Sequence, residues 1–376
     1  MKLTLNRSEF MQELQTVQRA ISTKTTIPIL TGVKITLTDQ GLTLTGSNAD
    51  ISIETFLSAD NEKAQMNIEQ TGAIVLQARF FSEIVRRLPE STLTLEVLEN
   101  NQVAITSGKA NFTVNGLDAD SYPHLPVVES HNAIEIPGHI LNKIVSETVF
   151  AVSQHESRPI LTGVHFVLED QKLLAVATDS HRLSQRVIPL DSGDTAFNIV
   201  IPGKSLTELS RSLTDEEEAI QISIMDNQVL FQTKTMKFYS RLLEGTYPDT
   251  NRLIPSSFNT EIEFVVPELL QAIERASLLS HEGRNNIVRL AISEEAVVLY
   301  GNSPEIGKVE EDLNFASVTG DPLEISFNPD YMKAALRAFG DTSIVIRFIS
   351  AIRPFTLEPT ESKGTFIQLI TPVRTN

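Results

Sequence analysis

The stretch Pro28-Ile29-Leu30-Thr31-Gly32-Val33 returns 131 residues later as Pro159-Ile160-Leu161-Thr162-Gly163-Val164. Leu37, Asp39 and Gln40 match Leu168, Asp170 and Gln171 at the same offset, giving nine identities in thirteen positions. An internal repeat of this length fixes domain number and architecture together. A third copy, carried by pattern more than by identity, begins at Asn286-Ile287-Val288-Arg289-Leu290. It continues through Val297-Val298-Leu299-Tyr300, parallel to Leu173-Leu174-Ala175-Val176. Asp120-Ser121-Tyr122-Pro123 and Gly245-Thr246-Tyr247-Pro248 close the first and second copies. The 376 residues, too many for one hydrophobic core, thus divide into domains at 1–128, 129–252 and 253–376.

Each copy repeats one order of patterns. Leu3-Thr4-Leu5, Ile134-Glu135-Ile136 and Ile262-Glu263-Phe264 alternate apolar and polar, as half-buried strands do. A helical stripe follows each: Phe10, Met11, Leu14, Val17 and Ile21 after a candidate N-cap at Ser8, with Pro137 and Pro267 suited to the first turns of the later two. Second helices carry Phe80, Phe81, Ile84, Val85 and Leu88, then Leu206, Leu209 and Leu213, then Tyr331, Met332, Ala335, Leu336 and Phe339. Alternating runs such as Thr92–Val97 and Gln221–Ile224 fill the remainder, with turns at Asn100-Asn101 and Asp226-Asn227. The fold class is α+β, two helices on antiparallel sheets, three times over.

Cysteine is absent, which removes disulfides, thiolate metal sites and thiol nucleophiles. No segment approaches about 20 uninterrupted apolar residues, and the start turns polar by Asn6-Arg7, so a soluble, cytoplasmic protein without membrane contact is expected. The net charge of −17 opposes tight nonspecific binding to nucleic acid. The charge is unevenly placed, however. The six helical stretches with their flanks total +4 and leave −21 to strands and loops. Their cations include Arg7, Arg19, Lys24, Arg79, Arg86, Arg87, Lys143, Lys204, Arg211, Arg275, Lys333 and Arg337. If the copies present their helices on a common face, phosphate is the partner such a face would meet.

No catalytic constellation assembles. Asp179-Ser180-His181 holds the residue types of a hydrolytic triad, but three successive residues project in different directions and cannot form the relay. Nucleophile-elbow, phosphate-loop and zinc-helix motifs are missing from the sequence. The histidines, His124, His131, His139, His155, His165, His181 and His281, lack metal-ligand spacing, and Asp215-Glu216-Glu217-Glu218 has the character of a solvated loop. A non-catalytic protein with neither metal nor cofactor is expected. The repeat offers one internal contrast: His181-Arg182 of copy two stands against Asp50-Ile51 of copy one and Glu305-Ile306 of copy three. Only copy two departs toward a basic pair.

At Ala177-Thr178-Asp179-Ser180-His181-Arg182-Leu183 the chain resembles the bacterial sliding clamps, the β subunits of DNA polymerase III, which typically have glycine where Ser180 stands. The resemblance extends through Ile27-Pro28-Ile29-Leu30, Tyr247-Pro248-Asp249 and Pro372-Val373-Arg374, with Thr375 and Asn376 as two further residues. It implies a head-to-tail homodimer forming a six-domain ring that encircles double-stranded DNA without reading sequence. It further implies that the ring tethers the polymerase III catalytic subunit, is handled by a clamp loader, and meets other polymerases and repair proteins through short linear peptides. DNA contacts would fall to Lys24, Arg79, Arg158 and Lys204. A peptide pocket would take Leu161, Thr178, Ser180, His181, Arg182, Leu183, Pro248, Arg252, Leu253, Asn328, Tyr331, Ile352, Pro354, Pro372, Val373 and Arg374, with His181, Arg182 and Arg374 orienting the peptide. Ring closure would set Leu278 and Leu279 against the region of Phe80 and Phe81. A three-domain scaffold that binds proteins but never encircles DNA is the alternative from another class.

Overall fold

The computed structural model describes residues 1–125, 133–155, 157–213, 217–280, 286–362 and 364–374. The boundary near 128, His131, Asp215, Glu216, His281, Thr375 and Asn376 lie outside these residues. The described residues contain six α-helices, two in each copy: α1 (Arg7–Gln18), α2 (Ala78–Arg87), α3 (Gly138–Thr148), α4 (Gly203–Ser212), α5 (Val266–Ser280) and α6 (Pro329–Phe339). Each helix follows a strand almost without a break, so its first residues inherit extended backbone that must be capped at once. In α1 the cap is Asn6, not Ser8: the Asn6 Oδ1 accepts from the backbone N–H groups of Ser8 and Glu9 at 2.9 and 3.3 Å. Pro137 closes the strand before α3 and so precedes that helix, whereas Pro267 is the second residue of α5. Ile21 lies beyond the end of α1.

All strand pairs are antiparallel, and they form four sheets. Two sheets cross the copy boundaries. Met236–Arg241, the last strand of copy two, pairs with Ile51–Ser58 of copy one, placing Ser240 opposite Ile51. Phe366–Ile370, the last strand of copy three, pairs with Arg182–Pro189 of copy two, placing Ile370 opposite Arg182. The result is an eight-stranded and a nine-stranded sheet, each containing strands of two copies. The five-stranded sheet of copy one ends in the strand Ala110–Asn115, and the four-stranded sheet of copy three ends in Gly307–Asp312.

The chain accordingly separates into two compact units, Met1–His139 with Lys204–Leu242, and Ile140–Gly203 with Leu243–Asn376. In the first, α1 buries Phe10, Leu14 and Val17, and the Phe10 ring meets Phe81 of α2 edge-on at 5.7 Å. In the second, α5 and α6 bury Leu269, Ile273, Met332 and Leu336 with Ile262, Phe264, Phe327 and Phe355. No described helix is long and apolar enough to cross a membrane.

Adjacent helical residues point in different directions, and the expected interface residues divide on this account. Phe81 is buried in its own unit while Phe80 is 60% exposed; Leu278 is 70% exposed and Leu279 half-buried. Of the two phenylalanines, only Phe80 is therefore available to a partner. Phe81→Ala should cost about 3–5 kcal/mol of unfolding free energy, and Phe80→Ala should stay within about 0.5 kcal/mol. Urea unfolding of the two variants at a protein concentration low enough to hold the chain as a monomer would distinguish them, and equal losses would refute the assignment.

Candidate functional site

Three of the four expected DNA-facing cations lie in the first unit, and its hydrogen bonds draw them together. The Gln18 amide near the end of α1 donates to the carbonyl of Ala78, at the start of α2, at 3.0 Å. Arg19, which follows, reaches Glu208 of α4 at 3.6 Å. Lys24 lies just beyond α1, Arg79 in the first turn of α2, and Lys204 one turn ahead of Glu208 in α4. All three are exposed, and no ion pair among the described residues involves them. Other helix cations have local partners: Arg86 and Arg87 on Glu83, Arg211 on Glu208, Arg275 on Glu311 and Arg337 on Glu274. Arg79 and Lys204 also stand in the first turns of their helices, where the helix dipole adds positive potential.

Arg158 lies elsewhere. Its Nη1 donates to the Ser180 Oγ at 3.3 Å, which puts it in the second unit beside the turn that opens the expected peptide groove. That turn is strongly determined. Asp179 Oδ1 accepts from the backbone N–H groups of His181 (2.9 Å) and Arg182 (3.0 Å), while Oδ2 takes the Arg182 Nε at 3.0 Å. The Thr178 hydroxyl donates to the Arg182 carbonyl at 2.6 Å and accepts from the Ser180 N–H at 3.2 Å. Ser180 is held at φ +78°, a conformation more comfortable for glycine.

Beyond the turn, Arg182 passes 4.8 Å from the ring of Tyr331 and 5.5 Å from that of Phe150, and the exposed His181 stacks on Tyr331 at 6.3 Å. With its side chain only 15% exposed, Arg182 holds the groove in shape more than it reaches outward. Tyr331 projects from the first turn of α6, whose N-cap Asn328 accepts from the Asp330 N–H at 2.8 Å. The terminal segment is tied down by Thr371 N–H to the His181 carbonyl (2.9 Å) and Val373 N–H to the Ser326 carbonyl (2.8 Å).

Beneath the groove, Leu161 and Leu183 pack with Val176, Val200, Tyr247 and Leu369. Burial pushes the Tyr247 hydroxyl above the usual tyrosine range, so it remains protonated while accepting the Thr178 N–H at 3.1 Å. Leu161, Thr178, Leu183 and Pro372 are buried and support the floor from below. Ile160, half-exposed on the same cluster, extends the floor outward, and repetition of Pro-Ile-Leu in the sequence already marked it. Pro248, Arg252, Leu253, Ile352 and Arg374 are exposed, with Pro354 and Val373 half-buried. Arg252 is paired with Asp249 at 2.8 Å in a turn open to solvent. Aromatic faces, exposed aliphatic side chains and a basic rim together suit an extended peptide with aliphatic anchors. Among the described residues no cluster of three or more metal-ligating side chains occurs.

Models of the N-terminal, central and C-terminal domains of the DNA polymerase III beta subunit match residues 1–126, 135–249 and 251–374. The chain is 51% identical to the beta sliding clamp of Bacillus subtilis over 378 residues, covering 100% of both chains. It is 48% identical to that of Streptococcus pneumoniae over 374 residues, covering 99% of each. Crystal structures of the DNA polymerase III beta chain of Streptococcus pneumoniae and of the Bacillus subtilis sliding clamp superpose with TM-scores of 0.97 at 48% and 50% identity. Both cover 100% of each chain.

The hydrogen bonds around Asp179 generate a direct test of the turn. Asp179→Ala removes three acceptor contacts and strips Arg182 of its carboxylate, and should cost about 1–3 kcal/mol in denaturant unfolding. A loss under about 0.5 kcal/mol would show that the aromatic rings hold Arg182 without help.

Proposed function

The chain belongs to the DNA polymerase III beta subunit family, and from that membership we propose how its surfaces share the work of a sliding clamp. It is a DNA sliding clamp, a non-catalytic processivity factor in DNA replication. A scaffold that never encircles DNA gives way to this function. The three repeats occupy 1–128, 129–252 and 253–376, and the protein works in the cytoplasm.

The observation that carries the assembly is the rule by which copies join: the last strand of one pairs with the strand that opens after the Asp50 or His181 turn of the copy before it. Applied once more, the rule pairs Ala110–Asn115 of copy one with Gly307–Asp312 of copy three, both of which end their sheets. Among the described residues these two edges have no such partner within one chain, whereas two chains joined head to tail satisfy both. Exposed Phe80 and Leu278, with Phe112 and Ile306 at 41% and 58% exposure, supply apolar cover for the same contact. Leu279 supports Leu278 from its half-buried position. The product is a homodimeric ring.

Double-stranded DNA passes through that ring against Lys24, Arg79 and Lys204, cations with no ion pair among the described residues on a chain of net charge −17. Few, interchangeable phosphate contacts suit sliding, since tight binding would arrest it. The groove of the second unit takes short peptides from the polymerase III catalytic subunit, the clamp loader and other polymerases and repair proteins. Arg158 belongs with His181 and Arg374 on its rim, beside Ser180.

Two measurements test these assignments. Replacing Lys24, Arg79 and Lys204 by glutamine should lower loading onto circular DNA and flatten its logarithmic salt dependence by about 0.9 per lost phosphate contact; an unchanged slope would overturn the DNA face. Phe80→Ala with Leu278→Ala should shift sedimentation from dimer toward monomer while far-UV circular dichroism stays the same. A folded, undissociated dimer would overturn the closure.

A further inference from the structure

The first unit contains a cavity of about 220 Å³ whose lining includes Ile27, Leu30, Ser47, Asp50, Tyr239 and Arg241. It occupies the place in copy one that the peptide groove occupies in copy two, and the two turns share their backbone hydrogen bonds. Asn48 Oδ1 accepts from the N–H groups of Asp50 (3.0 Å) and Ile51 (2.8 Å), as Asp179 does for His181 and Arg182. Ala49 is held at φ +76°, as Ser180 is at +78°. The Arg241 N–H donates to the Asp50 carbonyl at 2.9 Å, matching Thr371 on His181. Leu30 is buried with Tyr122, Val75 and Ala119, as Leu161 is with Tyr247.

The side chains above this shared frame differ. Where copy two has His181 and Arg182, copy one has the exposed Asp50 and the buried Ile51. Where Tyr331 stands over the second groove, the corresponding first turn, in α4, carries Ser205, which is buried and hydrogen-bonded to Ser240 at 2.8 Å. Tyr239 and Arg241 line the first groove from the joining strand, and Ile27, 43% exposed, gives it an apolar wall. The Asp50 carboxylate makes no hydrogen bond or ion pair among the described residues.

We propose that this groove is a second site for short extended peptides, selective for aliphatic sequences that carry a lysine or arginine. The proposal rests on the reading of the copy-two groove as a peptide site. A cavity of 220 Å³ suits a leucine-sized anchor and is small for a cofactor. The rim fixes the charge of the occupant. A basic side chain beside the anchor meets Asp50, and Arg241 faces a peptide carbonyl or carboxylate, whereas an acidic residue at the first position meets Asp50 with like charge. The two grooves of one chain thereby sort peptides by sign.

Fluorescence anisotropy with the full-length protein tests this, using two labelled peptides that share a Leu-Ala-Leu core, one flanked by lysines and one by aspartates. Asp50→Lys should weaken the lysine peptide at least tenfold and leave the aspartate peptide unchanged, while His181→Ala should do the reverse. Lysine-peptide binding that survives Asp50→Lys, or that saturating aspartate peptide displaces, would overturn the proposal. If Asp50→Lys instead changes only self-association in sedimentation, a second copy of the chain occupies the groove and the proposal also falls. An aspartate peptide indifferent to His181→Ala would refute the copy-two reading separately.

Discussion

An antiparallel sheet cannot end in water without leaving a row of unpaired N–H and C=O groups, and the architecture of this chain follows from where each row finds its partner. Copy two closes its own last strand on copy one, and copy three closes on copy two, so that pairing between copies is as continuous as pairing within them. Ser240 opposite Ile51 and Ile370 opposite Arg182 lie at corresponding points of the two junctions. A shift of one residue at either would turn every side chain of the joining strand to the opposite face, so register at the junction is fixed by the cores on either side of it. The compact units are therefore built around junctions, and the second copy is divided between them although its sequence repeats as one block.

The same junctions make the grooves. Where a last strand meets the preceding copy, the neighbouring turn must present a left-handed residue and an Asn or Asp that collects two backbone N–H groups. Once those bonds are fixed, the next two residues are free to vary, because their backbone is already satisfied. This explains how Asp50-Ile51 and His181-Arg182 occupy one framework with opposite chemistry. It also explains how the cost of largely burying Arg182 is offset: Asp179 neutralises it, and two aromatic faces replace part of its hydration.

The repeat, the α+β class and the helices were legible in the sequence because each depends on neighbours along the chain. Periodicity marked the stripe of Phe10, Leu14 and Val17, and Asn100-Asn101 marked a turn in which both residues have positive φ. What depended on distant atoms was harder to see. Asn6 caps α1 because the helix begins straight off its strand, two residues earlier than Ser8 suggests. Phe80 and Phe81 carry the same hydrophobic signal, and only packing against Phe10 separates them. Arg158 lies among helix-flanking cations in the sequence, but the path of the chain brings it to Ser180. The sharing of sheets between copies has no local signature, since choice of strand partner is settled by the whole core.

Charge follows a related logic, in which local pairing decides what remains for a partner. Lys and Arg on helices are common, and a raw count gives only a weak indication of phosphate binding. The distinguishing fact is which cations already have carboxylates within reach. Glu83 and Glu208 together engage Arg86, Arg87, Arg211 and Arg19. Each such pair contributes little to stability at the surface, roughly 0–1 kcal/mol, yet it neutralises charge that would otherwise attract DNA. Lys24, Arg79 and Lys204 lack such pairs among the described residues, so the positive field is concentrated in a few places on an acidic chain. A polyanion held by a few mobile side chains can exchange one phosphate for the next at low cost, and that exchange permits translation along the duplex.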